Sequence, residues 1–137
     1  MDLRQLTPDL AVAPQIDPDD LIALAQAGFR VLIDNRPDTE IGPEQASTRM
    51  ADAAAAAGLD FHYIPFTPGQ LTPQIVQQFA EALASGGPAL AYCRSGTRSA
   101  TLWALSQAGQ RPADEILRTA ADAGYDLGNV APLLTRG

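Results

Sequence analysis

The chain reads as an α/β domain with a mainly parallel central sheet of about four strands flanked by helices. Three observations predict it. Short apolar runs alternate with stretches of helical periodicity. Gly and Pro punctuate the junctions between them. The runs are too compact and too apolar for exposed hairpins, which implies a sheet covered by helices.

The elements follow in order. Asp17-Pro18 marks a helix start, an Asp N-cap followed by Pro at the first helical position, and Gly28 ends that helix. Phe29 to Asp34, with Val31 and Ile33 inside it, is a buried strand. Asn35 to Gly42 is a polar loop. Pro43 to Ala57 has helical propensity and is closed by Gly58. Phe61 to Ile64 is a second strand, and Thr67 to Gln70 is a turn. Thr72 caps a helix from Pro73 to about Ala84, whose Val76, Phe79 and Leu83 share one face. Ala89 to Tyr92 is the last strand. Helices are expected at Ser99–Ala108, Ala113–Ala123 and Leu127–Leu134.

With 137 residues the chain fits a single domain, 1–137, that needs no covalent or metal staple. The formal charge of −7 disfavours a nucleic-acid partner, so an anionic ligand must be captured by a local cationic site. All nine basic residues are arginine, which removes every lysine mechanism. One cysteine and one histidine leave no disulfide framework and no Cys- or His-rich metal site. No apolar run approaches the roughly 20 residues of a membrane span, and no signal peptide is recognisable. The expected setting is cytoplasmic, with no cofactor and no membrane partner. Oligomeric state is not written in the sequence.

The sharpest feature is Tyr92-Cys93-Arg94-Ser95-Gly96-Thr97-Arg98-Ser99, between a strand and a helix. Ligands of open α/β sheets bind at the carboxyl ends of strands, which is where Cys93 falls. A tight loop there turns the amides of Arg94, Ser95, Gly96 and Thr97 toward one point, and the helix N-terminus adds its positive end. Gly96 permits a positive φ. Arg98 offers a planar fork to an oxyanion. The same field stabilises a thiolate, and Ser99 is placed to donate a hydrogen bond to it. A thiolate beside an oxyanion-binding arginine is a unit of covalent catalysis. A buried, inert cysteine is the bland alternative. Arg94 and Arg36 are candidate substrate contacts. Asp34, at a strand end, and Asp38, in the loop, are candidate acids at the same face of the sheet. His62 and Trp103 read as packed residues.

The loop resembles those of cysteine-dependent phosphatases and of rhodanese sulfurtransferases. The wider chain, Leu32-Ile33-Asp34-Asn35-Arg36-Pro37, Tyr63-Ile64-Pro65, Ala91 to Leu105, and Glu115 to Leu127, resembles the beta-lactamase hydrolase-like family, over roughly Leu6 to Leu134. That resemblance implies a dual-specificity-phosphatase-like fold, with Cys93 as nucleophile and Arg98 as phosphate binder. It also implies a functional link to a persulfide dioxygenase-like protein. The chain departs from the phosphatase pattern in two places. The spacing is Cys-x4-Arg rather than Cys-x5-Arg, with Tyr92 in place of the preceding histidine. The loop Phe66 to Gln70 lacks the acidic residue expected there.

The leading expectation is a metal-independent phosphatase-like hydrolase that acts on phosphate monoesters through a Cys93 thiophosphate. The alternative is a rhodanese-like sulfurtransferase that carries sulfane sulfur as a Cys93 persulfide. A non-catalytic anion- or partner-binding module is the third.

Overall fold

The structure, a computed structural model, describes residues 1–134. The last three residues of the expected domain lie outside them. Among the described residues five strands form one sheet: β1 (Arg4–Thr7), β2 (Leu10–Ala13), β3 (Val31–Asp34), β4 (Asp60–Tyr63) and β5 (Ala89–Tyr92), in the order β1-β2-β5-β3-β4. β1 runs antiparallel to β2 and every other pairing is parallel.

Two of these strands, β1 and β2, were not among the expected ones. β1 is a half-exposed edge strand and β2 is Leu-Ala-Val-Ala, so neither carries the β-branched run that marks β3. Both are held by tertiary pairing. Leu10 to Ala13 align with Ala89 to Tyr92, so β2 borrows its register from the central strand β5.

Among the described residues six α-helices cover the sheet: α1 (Leu21–Gln26), α2 (Ser47–Ala57), α3 (Pro73–Leu83), α4 (Thr97–Ser106), α5 (Ala113–Asp122) and α6 (Ala131–Leu134). Residue alternation along the strands splits the core in two. Leu32, Leu90 and Tyr92 pack with Leu21, Leu24, Met50 and Ala54 of α1 and α2. Val31, Ile33, Ala89 and Ala91 pack with Phe79 of α3, Leu102 and Trp103 of α4 and Ile116 of α5. Trp103 is a core residue, as read from the sequence. β3 and β5 are buried on both faces, which explains their lack of polar alternation.

Three expected helices are broken. The one read from Asp17-Pro18 opens as a 3-10 turn, Pro18–Asp20, and α1 starts only at Leu21. Pro43–Gln45 is a separate 3-10 turn, Ala46 is extended, and α2 starts at Ser47. The cause is a cap from outside the helix. Asp38 accepts from the Ser47 amide at 2.7 Å and from the Ser47 hydroxyl at 2.6 Å, which satisfies the first amide of α2 from outside. Asp38→Ala is expected to cost about 1–2 kcal/mol in chemical denaturation, the range for a lost cap. The expected Leu127–Leu134 helix is a 3-10 turn, Gly128–Val130, followed by the short α6. The Thr72 cap forms as expected, accepting from Ile75 N at 3.3 Å. Among the described residues no helix is long and apolar enough to cross a membrane.

The parallel register brings Ala13, Asp34 and Tyr92 level at the carboxyl edge. The ladder continues one step beyond the strands. Cys93 N–H donates to Ala13 O at 3.4 Å, Asn35 N–H to Tyr92 O at 2.9 Å, and Phe66 N–H to Asn35 O at 3.0 Å. This fixes the root of the cysteine loop from both sides.

Candidate active site

Cys93 leaves β5 fully buried, and α4 begins four residues later. Gly96 is the N-cap of α4 with φ +95°, a conformation that favours glycine. That turn aims the Gly96 amide at Cys93 Sγ, N to S 3.1 Å. The N-terminus of α4 thus faces the sulfur, as an anion site requires. The Thr97 amide turns instead toward Ser95 Oγ at 3.4 Å, and Ser95 donates to Thr97 Oγ1 at 3.0 Å. Arg94, Ser95 and Thr97 are exposed on the outer rim, so Arg94 stands where the sequence reading allowed it, outward. Tyr125 backs the loop. Its hydroxyl lies 3.5 Å from Ser95 O, and a side chain on Gly96 would collide with it. Burial pushes the Tyr125 hydroxyl above its ordinary range.

Arg98 comes off the first turn of α4 and reaches the 35–40 loop. Nη1 donates to Glu40 Oε2 at 2.9 Å and to Phe66 O at 3.0 Å, and Nη2 donates to Glu40 Oε1 at 2.7 Å. This is a fork-to-fork pair with only 15% and 27% of the two side chains exposed. The Arg98 guanidinium holds the Glu40 carboxyl below the usual carboxylate range. An arginine has five N–H groups. Three are engaged, and the remaining Nε–H and one Nη2–H form one edge suited to two oxygens of an anion. Glu40 therefore orients Arg98. The sequence reading missed it. Its signal was its place in the loop after β3, where Arg36 and Asp38 alone were singled out.

Ser99 is fully buried and donates to Asn35 Oδ1 at 2.8 Å, not to the thiol. Asn35 is the second missed residue. Its Nδ2 donates to Ile64 O at 2.8 Å, so one buried amide joins the ends of β3 and β4 to α4. In this geometry Ser99 braces the loop.

Arg36 lies one loop away, as expected, and is tied to the same group. Its Nη2 donates to Glu40 O at 3.1 Å, its Nη1 to Gln15 Oε1 at 3.2 Å, and its Nε lies 3.5 Å from Glu40 Oε1. Gln15 N–H in turn donates to Arg94 O at 3.3 Å.

Asp34 is brought to the carboxyl edge but turned away from the sulfur. It pairs across from Tyr92 and shares its face, the side covered by α1 and α2, whereas α4 packs on the other. Its Oδ1 accepts from Arg36 N at 2.9 Å. Its Oδ2 and the Tyr92 hydroxyl face each other without reaching hydrogen-bond geometry, close enough for each to influence the other's ionisation. Burial pushes the Asp34 carboxyl up to about 7, against the opposing pull of the Arg36 amide. The Tyr92 hydroxyl is raised as well, first by burial and then by the charge of Asp34. A raised carboxyl binds its proton more tightly folded than unfolded, so it contributes a loss of stability as pH rises from about 4 to above 7. Asp34→Asn is expected to be more stable than wild type at pH 8, with the gap closing toward pH 4 in thermal melts. No cluster of three or more potential ligands for a metal ion occurs among the described residues.

The model of the family described as beta-lactamase hydrolase-like protein, phosphatase-like domain, matches residues 2–110. A beta-lactamase hydrolase-like protein of Xylella fastidiosa is 32% identical over 139 residues, which cover 99% of this chain and 32% of that protein. The chain thus spans about a third of the length of the curated relatives it matches. A protein of Neisseria meningitidis, provisionally described as a phosphatase, has a solved structure that is 33% identical. Its TM-score is 0.85, with 99% of this chain and 98% of that chain covered. The core catalytic domain of a PP-IP phosphatase from S. cerevisiae, 10% identical, shares the fold at a TM-score of 0.72 over 98% of this chain and 83% of its own. The α/β fold is therefore that of the protein tyrosine and dual-specificity phosphatases, as the resemblance in the sequence implied. The chain belongs to the phosphatase-like domain family of the beta-lactamase hydrolase-like proteins.

Proposed function

We propose that the chain is a metal-independent, cysteine-dependent hydrolase of phosphate monoesters. The observation that carries this reading is the Gly96 amide aimed at Cys93 Sγ at the head of α4, beside an Arg98 whose free edge is set by Glu40. The Cys93 thiolate attacks phosphorus in line, an S–P bond forms and the ester P–O bond breaks. Arg98 and the Gly96 amide carry the charge on the equatorial oxygens. Water then attacks phosphorus, the S–P bond breaks, and phosphate leaves with the thiolate restored. Asp34 faces α1 and α2 and is not assigned as the proton donor. The departing oxygen takes its proton from water, so esters with good leaving groups react best. Rapid acid quench of the enzyme with an activated aryl phosphate is expected to show a phosphoryl group on Cys93 by mass spectrometry. A turning-over enzyme with no such adduct, and no loss in Cys93→Ser, contradicts the reading.

One observation favours a second reading. The short Cys-x4-Arg loop points the Gly96 amide at the sulfur, a contact that would also hold the outer sulfur of a persulfide. As a sulfurtransferase, the Cys93 thiolate attacks the outer sulfur of thiosulfate, sulfite leaves and a Cys93 persulfide remains. Protein heavier by one sulfur atom on Cys93 after thiosulfate treatment supports it. Unchanged mass excludes it. A link to a persulfide dioxygenase-like protein belongs with this second reading.

A further inference from the structure

Asp34 takes no part in the chemistry proposed above, yet it is fully buried at the end of a central strand. The geometry points to Asp34 as a positioning residue that sets Arg98 through Arg36 and Glu40, so that its ionisation tightens the grip of the cysteine loop on an anion. The consequence for binding rests on the anion-binding reading of that loop.

The chain of contacts is continuous. Asp34 Oδ1 receives the Arg36 amide at 2.9 Å, which closes the turn where the backbone leaves β3. Arg36 then holds Glu40 at two places, through its carbonyl at 3.1 Å and its carboxylate at 3.5 Å. Glu40 grips both terminal nitrogens of Arg98. A parallel path runs from Arg36 to the Gln15 side chain, and from the Gln15 amide to Arg94 O. One carboxylate thus reaches both ends of the cysteine loop.

The surroundings leave its charge decisive. Oδ2 has no hydrogen bond, and neither has the Tyr92 hydroxyl that faces it. The other groups acting on it are Arg36 and Asp38 from the loop, and Tyr63 from β4 feels its charge. α1 carries no titratable residue. α2 turns Met50 and Ala54 to this face, and its Arg49 and Asp52 are exposed. An ionised Asp34 is the stronger acceptor for the Arg36 amide and attracts the Arg36 guanidinium. Protonation weakens both and slackens the turn that carries Glu40. Burial places this change in the neutral range.

The test uses Cys93→Ser, so that no thiol is present, with and without Asp34→Asn. Asn keeps an oxygen for the Arg36 amide and stays uncharged. Arginine Nε–H resonances are followed by NMR from pH 5.5 to 8.5, with sulfate binding by calorimetry, since sulfate does not titrate in that range. The Arg98 Nε–H signal is expected to inflect near neutrality in Cys93→Ser and to stay flat in Cys93→Ser/Asp34→Asn. Sulfate affinity is expected to fall about threefold to tenfold with falling pH only where Asp34 is present. Tyr92→Phe, which removes the hydroxyl facing Asp34, is expected to move the inflection to higher pH. An Arg98 signal that ignores the Asp34 titration, or that inflects equally with Asn at 34, overturns the proposal. If Arg98 follows Asp34 but sulfate does not bind, the positioning role stands and the anion-binding reading fails.

Discussion

Arg98→Lys is expected to lower kcat on an aryl phosphate by about 10³-fold, the effect of losing a donor aimed at the charge of the transition state. A lysine keeps the charge and loses the shape. Arg98 spends three donors on Glu40 and Phe66 O and presents Nε–H and Nη2–H as a flat edge. A lysine ammonium that reaches Glu40 has no second edge to offer, and one that turns to the anion abandons Glu40 to Arg36. The fold is expected to hold, because Arg98 is half-surrounded by polar loop atoms and contributes nothing to either apolar cluster. Steady-state kinetics with a thermal melt on the same sample separates the two effects. A loss below about tenfold places Arg98 outside the reacting geometry.

Gly96→Ala is expected to damage stability and turnover together. The backbone at φ +95° costs an L-residue about 1–2 kcal/mol. The new methyl would also meet the Tyr125 ring, with Cζ 2.9 Å and Cε1 3.2 Å away, and these ring atoms are braced in the core. Overpacking adds about 1–3 kcal/mol. Relief requires the loop to move, and the loop carries the amide that points at Cys93 Sγ. Turnover is therefore expected to fall about 10²-fold or more, as for a displaced oxyanion donor. Shrinking Tyr125 in the same chain, as Gly96→Ala/Tyr125→Ala, relieves the collision but not the backbone strain. Its melt is expected to stay below wild type, because the strain remains and the lost ring leaves a cavity. A Gly96→Ala protein with wild-type melting and turnover contradicts the described loop.

What was legible in the sequence is what local chemistry dictates. The β-branched run of β3, the Gly-and-Pro-bounded β5, the Thr72 cap and the strand–Cys–Gly–helix order all declare themselves locally. The comparisons bear out the α/β, phosphatase-like fold that these elements and the resemblance implied. What stayed hidden depends on distant partners. β2 is a strand because β5 pairs with it, and α2 starts at Ser47 because Asp38, nine residues earlier, caps it. The same holds at the site. Cys93, Gly96 and Arg98 are adjacent in sequence and were read together, whereas Glu40 meets Arg98 across 58 positions and Asn35 meets Ser99 across 64. Asp34 was expected at the same face of the sheet as the cysteine loop, and the structure turns it to the opposite one. Which face its carboxyl takes follows from register with Tyr92, which no local pattern states.

The central claim is that Cys93 is the nucleophile of a phosphate-ester hydrolase. Phosphate release from an activated aryl phosphate, wild type against Cys93→Ser and both in chelator, tests it most directly. The account predicts steady release by wild type and none above background from Cys93→Ser, with both proteins melting alike. Equal release from the two proteins, or none from either, would contradict it.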